Sequence, residues 1–274
     1  MNLDLAEAKP TIQELLHDLR VERDLLRQAI ECTTVSLDTP TPSPGWCVRD
    51  QVAHLAYFDR AAALAVAAPS TFDRLKSEAL ADVEAYEART LAGAAAGKSA
   101  LLTDWDEAFE AFASAVESAE PCRVPWYGPD MSLASMISAR LMETWAHGHD
   151  VVTALAVDRP ATDALRHIVV LAYRARKYGY AVRGLPAPQT DTRLLVTSPS
   201  GGQWCLGDPA AELVSGPAEQ FCLVLTRRRH IDDTDLQCFG EAARSWMTIG
   251  QAYAGPPGPG PQRLHTPARQ GALR

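Results

Sequence analysis

The sequence predicts a mainly α-helical protein, in which an up-and-down four-helix bundle is followed by a small α+β domain. Three observations lead to this fold class. Apolar residues recur every three or four positions through long segments of the first part of the chain, as on the buried face of a helix. Loops rich in proline and glycine separate these segments. After residue 184 the pattern changes to short segments and turns that are typical of strands.

Helical periodicity extends from residue 10 to residue 183. Pro10 suits the first turn of the first helix, and three prolines and a glycine interrupt the chain between residues 37 and 46. An alanine- and glycine-rich break at 92–97 and a proline-rich turn at 121–130 separate later helices. The predicted helices cover residues 10–32, 46–69, 71–91, 99–119, 131–157 and 163–183.

The segment 185–254 is predicted to form the small α+β domain. Residues 193–198 and 203–207 flank a Pro-Ser-Gly-Gly turn and are expected to form a β-hairpin, with a third strand at 211–215. Helices are expected at 217–225 and 240–253. The tail is too rich in proline and glycine to pack and is predicted to be disordered. The predicted limits are therefore 1–184 for the bundle and its connecting helix, 185–254 for the second domain and 255–274 for the tail.

Composition and charge exclude several classes of function. The net charge of −8 gives no general electrostatic case for binding nucleic acid. The chain lacks an uncharged apolar run of about 18 residues, which argues against a membrane span. The N-terminus carries acidic residues early and does not have the pattern of a secretory signal. We therefore expect a cytoplasmic protein that acts on a small molecule, and the sequence leaves open whether it is a monomer or a homodimer.

Candidate metal ligands lie in the apolar stretch RLMETWAHGHD. Glu143 and His147 are four residues apart, so on a helix they lie on one face and can bind one ion together. His54, on the apolar side of the second predicted helix, is the best candidate for a third ligand. Two imidazoles and one carboxylate are typical of an open catalytic site. His149 and Asp150 follow directly and are predicted to orient an imidazole.

A glutamate and a histidine at this spacing also occur without a metal. They can form a solvated or hydrogen-bonded pair on a helix surface. The apolar neighbours of Glu143 favour metal binding, because a buried carboxylate must be paired or must bind a cation. The residues alone leave both interpretations open.

Arg228 and Arg229 are the candidate catalytic residues outside this group. They lie in a run of three arginines, and a guanidinium matches a carboxylate with two parallel hydrogen bonds. We therefore expect them to bind a substrate carboxylate. A solvated end of a strand or helix explains the same run equally well.

Two sequence phrases support a family assignment. W-x-V-R-D-x-x-A-H-L begins at Trp46 and contains His54, and R-x-x-E-x-x-x-H-x-x-D runs from Arg140 to Asp150. Together, and in this order, they resemble the mycothiol-dependent maleylpyruvate isomerase family, which belongs to the DinB-like metal-binding four-helix bundles. The resemblance covers residues 10–157. The C-terminal phrase W-x-x-I-G-Q-A-Y-A-G-P-P-G is similar to an actinobacterial subgroup described only as metal-binding proteins.

The resemblance implies that His54, Glu143 and His147 bind a divalent metal ion, with zinc as the expected ion. It also implies mycothiol as a candidate cofactor, whose metal-held thiolate adds to an activated alkene so that bond rotation gives cis-trans isomerisation. We therefore expect a metal-dependent isomerase or thiol transferase that acts on a small, carboxylate-bearing metabolite. Two alternatives remain open, namely a thiol-independent zinc lyase, hydrolase or cyclase-like tailoring enzyme, and a non-catalytic metal-binding module.

Overall fold

The computed structural model describes residues 2–258 and 260–263. Helices dominate and a small sheet lies in the C-terminal part, which confirms the predicted fold class. The chain divides into two compact units. Of the described residues, the helical unit comprises 8–171 with 253–255, and the sheet unit comprises 2–7, 172–252, 256–258 and 260–263. The division falls near residue 171, whereas the sequence predicts a boundary at 184.

The helical unit contains the long segments that the sequence predicts. Its helices are α1 (Ile12–Cys32), α2 (Val48–Ala67), α3 (Pro69–Ala81), α4 (Val83–Leu91), α5 (Lys98–Ser118) and α6 (Leu133–Leu155). The prediction of one helix over 71–91 is wrong, because Asp82 leaves the helical conformation and its side chain caps α4 through the backbone nitrogen of Ala85. Two short strands, β2 (Arg123–Val124) and β3 (Met131–Ser132), pair antiparallel around the proline-rich turn.

The first helix begins with a capping box. The hydroxyl of Thr11 accepts a hydrogen bond from the backbone nitrogen of Glu14, and the Glu14 carboxylate accepts one from the backbone nitrogen of Thr11. The bonds that the backbone nitrogen and the hydroxyl of Thr11 donate to the Glu14 carboxylate lower the pKa of Glu14. Pro10, predicted in the first turn, precedes this cap.

Helix α6 is the most buried element of the bundle and carries two of the candidate ligands. Its apolar side chains pack with those of α1, α2 and α5 in one core cluster, which includes Leu26, Ile30, Val52, Leu55, Leu101, Trp105, Val151 and Leu155. Each such side chain contributes about 1.5–3 kcal/mol when it leaves water. The helix ends where Ala156 adopts a left-handed conformation with φ of 53°.

A buried ion pair fixes α6 against α2. The guanidinium of Arg140 on α6 donates from Nε to Oδ1 of Asp59 on α2 over 2.9 Å, and both side chains are 2% exposed or less. Trp105 on α5 donates from Nε1 to the other Asp59 oxygen over 3.0 Å. Arg140 lies one turn before Glu143 and Asp59 lies just beyond His54 in the sequence. The network therefore sets the register in which the two helices present the candidate ligands.

The sheet unit contains the hairpin and third strand that the sequence predicts. Over the described residues the strand order is β1-β5-β4-β6-β7, with β1 (Asn2–Asp4), β4 (Thr192–Thr197), β5 (Gln203–Leu206), β6 (Glu212–Pro217) and β7 (Gln237–Phe239). Strands β4 and β5 pair antiparallel. Strand β1 pairs parallel with β5, which places the N-terminal residues in this unit. The sequence does not predict β1 or β7, because three residues are too few to show alternation.

The remaining helices differ from the predictions in their ends. One helix is predicted over 163–183, but the chain forms α7 (Leu165–Arg174) and α8 (Arg176–Ala181), separated at Ala175. Helices α9 (Ala218–Leu225) and α10 (Glu241–Ile249) match the last two predictions, although α10 ends before residue 253.

The structure describes only the first part of the predicted tail. Residues 255–258 and 260–263 form neither helix nor strand, and the rest of the tail that is predicted to be disordered lies outside the described residues. Among the residues that the structure describes, no helix combines the length and apolar character that a membrane span requires.

Candidate metal centre

Two facing helices bring together the three predicted ligands, His54 on α2 and Glu143 and His147 on α6. One ligand atom from each side chain lies within 4.8 Å of the others. The ring centroids of His54 and His147 are 4.6 Å apart. His147 is 8% exposed, while His54 and Glu143 are partly exposed. We refer to these three residues as the ligand cluster.

The ligand cluster fits a divalent metal ion. Zinc bonds nitrogen and oxygen at about 2.0–2.2 Å, which places tetrahedral ligand atoms about 3–4 Å from one another. Nε2 of His147 and Oε2 of Glu143 are 3.0 Å apart, so small side-chain rotations suffice to form such a site. The contact between Glu143 and His147 is also what a simple hydrogen-bonded pair requires. The approach of His54 from a distant part of the chain is the feature that a simple pair does not explain.

The electrostatics of the site keep Glu143 ionised. Burial opposes its charge, but the hydrogen bond from His147 and the positive charges of His147, Arg140 and His54 outweigh this effect. Together these interactions lower the pKa of Glu143 to about 2. The carboxylate is therefore in the form that binds a cation at neutral pH.

Gln51 orients the imidazole of His147. Its side-chain oxygen lies 2.5 Å from Nδ1 of His147, and its amide nitrogen donates to the hydroxyl of Thr41 over 2.9 Å. An oxygen acceptor requires a proton on Nδ1, so Nε2 is the nitrogen that can bind a metal ion, once it gives up the proton that it donates to Glu143. The sequence suggests His149 or Asp150 for this role and does not identify Gln51. The available signal is that Gln51 precedes His54 by one helical turn within the same phrase.

Replacement of Gln51 should weaken metal binding without unfolding the bundle. Gln51→Met keeps the side-chain length but removes the acceptor, so we expect zinc affinity to fall about 10- to 100-fold. Gln51→Glu is the matched control, because its carboxylate accepts the same Nδ1 proton and should retain most of the affinity. Competition with a chromophoric chelator measures both constants, and equal affinities for Gln51→Met and the wild type would contradict the assigned role.

Aromatic rings flank the two imidazoles of the ligand cluster. Trp46 meets the ring of His54 edge-on at 4.9 Å and stacks with His147 at 5.9 Å. Phe58, one turn after His54, lies 4.6 Å from that ring. These contacts limit the access of water and restrict the orientation of both imidazoles.

The two predicted catalytic arginines lie in the sheet unit, just after α9. The backbone nitrogens of Arg228 and Arg229 donate to the carbonyl of Leu223, and the Arg228 guanidinium donates to the carbonyl of Thr226 over 2.8 Å. Both residues are partly exposed. Their binding of a substrate carboxylate stays a prediction.

Known proteins resemble this chain in sequence and in fold. The model of the mycothiol maleylpyruvate isomerase N-terminal domain family matches residues 11–152. An uncharacterised protein of Mycobacterium tuberculosis, found in strains CDC 1551 / Oshkosh and ATCC 25618 / H37Rv, is 41% identical over 248 residues, which are 89% of this chain and 96% of that protein.

Two crystal structures show the same fold at low identity. The mycothiol-dependent maleylpyruvate isomerase matches with a TM-score of 0.55 at 16% identity, covering 82% of this chain and 92% of that one. A mutant of that isomerase matches with a TM-score of 0.58 at 14% identity, covering 86% and 95%.

Proposed function

This chain belongs to the mycothiol maleylpyruvate isomerase N-terminal domain family, and from that premise we propose that it is an enzyme that binds a divalent metal ion through His54, Glu143 and His147. We take the ion to be zinc and the thiol cofactor to be mycothiol. The reaction is an isomerisation or thiol transfer on a small, carboxylate-bearing metabolite. The observation that supports this proposal best is the convergence of the three ligand side chains within 4.8 Å.

Each residue of the site has a distinct part in this proposal. A divalent ion held by three ligands lowers the pKa of a thiol or water at its open position and polarises a carbonyl. Glu143 supplies the negative charge. Gln51 holds the ring of His147 through Nδ1, so that Nε2 is the nitrogen that faces Glu143. Trp46 shields both imidazoles from bulk water. Arg228 and Arg229, which lie in the sheet unit, are proposed separately to bind a carboxylate.

Mycothiol binding tests the function directly. Because Trp46 contacts both imidazoles, its fluorescence should change when a thiol binds at the ligand cluster. We expect saturable binding of mycothiol to the zinc-loaded protein and none to the metal-free protein. Glu143→Ala should lose both zinc and mycothiol, with Glu117→Ala, an exposed position on α5, as the control that loses neither.

Two results would contradict the proposal in different ways. Mycothiol binding by fully metal-free protein would exclude a contact between its thiol and the metal. Substrate turnover by zinc-loaded protein without any thiol would favour the thiol-independent lyase, hydrolase or cyclase-like alternative.

A further inference from the structure

Three tyrosine side chains meet beside the ligand cluster. Tyr57 on α2, Tyr86 on α4 and Tyr127 in the turn between β2 and β3 are all partly exposed. The ring centroids of Tyr57 and Tyr86 are 6.1 Å apart, and those of Tyr86 and Tyr127 are 5.4 Å apart. The hydroxyl oxygens of Tyr57 and Tyr127 are 3.5 Å apart. We refer to these three residues as the tyrosine cluster.

The tyrosine cluster is continuous with the ligand cluster. Tyr57 follows His54 by three residues on α2, so both side chains lie on the same face of that helix. Phe58 packs against the ring of His54 at 4.6 Å and against the ring of Tyr127 at 5.8 Å. Phe58 therefore joins the two clusters, and the charge of Glu143 is close enough to act on the Tyr86 hydroxyl.

The turn that carries Tyr127 is firmly held on α3. Trp126 stacks on Phe72 with an interplanar angle of 4° and a centroid distance of 5.5 Å. The ammonium group of Lys76 donates to the backbone carbonyl of Trp126 over 2.5 Å. The Tyr127 hydroxyl is thus placed before any ligand arrives, which lowers the entropy cost of using it for binding.

The tyrosine hydroxyls are suited to donate hydrogen bonds rather than to act as bases. Burial raises the pKa of Tyr86 and of Tyr127, and the charge of Glu143 raises that of Tyr86 further. The hydroxyl of Tyr127 contacts that of Tyr57, and its ring lies 5.4 Å from that of Tyr86. Two hydroxyls that share one hydrogen bond use one proton for it, which leaves the other proton for an outside acceptor.

We propose that Tyr57, Tyr86 and Tyr127 form the substrate-binding surface beside the ligand cluster and donate a hydrogen bond to a carbonyl oxygen of the substrate. Neutral phenol groups among aromatic rings match a polar oxygen attached to a flat, unsaturated group. This inference rests on the proposed function, because it takes the ligand cluster to be the reacting centre. It adds the residues that select a carbonyl-bearing substrate.

A pair of probes on the cobalt-substituted protein tests this inference. Acetohydroxamate chelates metals through its carbonyl and N–O oxygens, which keep lone pairs that accept hydrogen bonds, whereas imidazole binds metals and has no oxygen acceptor. We expect Tyr86→Phe to raise the Kd for acetohydroxamate about 5- to 10-fold, which corresponds to the loss of one hydrogen bond. The Kd for imidazole should not change. Visible absorption of the bound cobalt reports both titrations without any enzymatic assay.

Control variants separate the hydrogen bond from general disturbance. Tyr180→Phe removes a buried hydroxyl that donates to Ser245 in the sheet unit. This variant should leave the Kd values for acetohydroxamate and for imidazole unchanged. Tyr57→Phe tests a second residue of the tyrosine cluster. It should also raise the Kd for acetohydroxamate and leave the Kd for imidazole unchanged. Equal Kd values for acetohydroxamate in the wild type, Tyr86→Phe and Tyr57→Phe would overturn the inference. The proposed metal site would be unaffected by that result. Failure of the wild type to bind cobalt would overturn the proposed function, and this inference with it.

Discussion

A His54→Ala/His147→Ala double variant is expected to bind no zinc, whereas the wild type should hold about one ion per chain, as a three-ligand site of this type does. The variant removes both imidazoles and leaves Glu143 as one carboxylate, which cannot retain zinc against water. Elemental analysis of protein purified without chelators and then reconstituted measures the difference.

The appropriate control removes two imidazoles outside the ligand cluster. His17 is exposed on α1 and His230 is partly exposed in the sheet unit, so His17→Ala/His230→Ala should keep the wild-type zinc content. Zinc retained by the first double variant would exclude the ligand cluster as the metal site. Zinc absent from the reconstituted wild type would mean that α2 and α6 serve only as a scaffold.

Removal of the metal should leave the helical unit folded. Its core packs around α6 through apolar side chains from four helices, and the pair of Arg140 and Asp59 is satisfied without an ion. We therefore expect circular dichroism of the chelated protein to retain the helical signal. A collapse of helicity on chelation would show instead that metal binding supplies the folding free energy, as in a structural site.

Asp59→Ala is expected to lower the free energy of unfolding by about 3–5 kcal/mol, because it leaves the buried charge of Arg140 without a partner. The variant also removes the acceptor of the Trp105 indole nitrogen. Chemical denaturation followed by circular dichroism measures the loss. Since Asp59 holds the register of α2 against α6, zinc affinity should fall as well.

An exposed ion pair between the same kinds of residue gives the matched control. Arg60 and Asp104 are 44% and 38% exposed, so Asp104→Ala should change the unfolding free energy by less than about 1 kcal/mol. The double variant Asp59→Leu/Arg140→Met should recover part of the loss, because neither charge then remains buried alone. A loss below about 1 kcal/mol for Asp59→Ala would contradict the role of the network, since breaking a buried pair normally costs several times more.

Much of the bundle could be predicted from the sequence. The long helices α1, α2, α5 and α6 bury one face each, and that burial imposes the apolar period that the sequence shows. The same period places Glu143 and His147 on one face of α6, because a helix stacks residues that are four apart. The hairpin of β4 and β5 could also be predicted from the sequence, since its strands flank a turn rich in glycine.

The sequence could not predict features that depend on contacts between distant residues. Strand β1 exists because its three residues pair with β5, and so short a segment carries no pattern of its own. The sequence leaves Asp59 without a role, yet Asp59 forms the buried ion pair with Arg140. Gln51 orients His147 through a hydrogen bond between two helices, and its position one turn before His54 does not by itself identify that partner.

The sequence by itself determined where the long helices of the bundle lie and which side chains can bind a metal, because both follow from local periodicity and from the chemistry of single residues. Only the tertiary structure decided that His54 reaches Glu143 and His147, since that distance depends on how α2 packs against α6. It also decided that three tyrosines from separate segments lie together beside the ligand cluster. Packing brings together residues that are far apart along the chain, and local sequence patterns do not indicate which of them will be in contact.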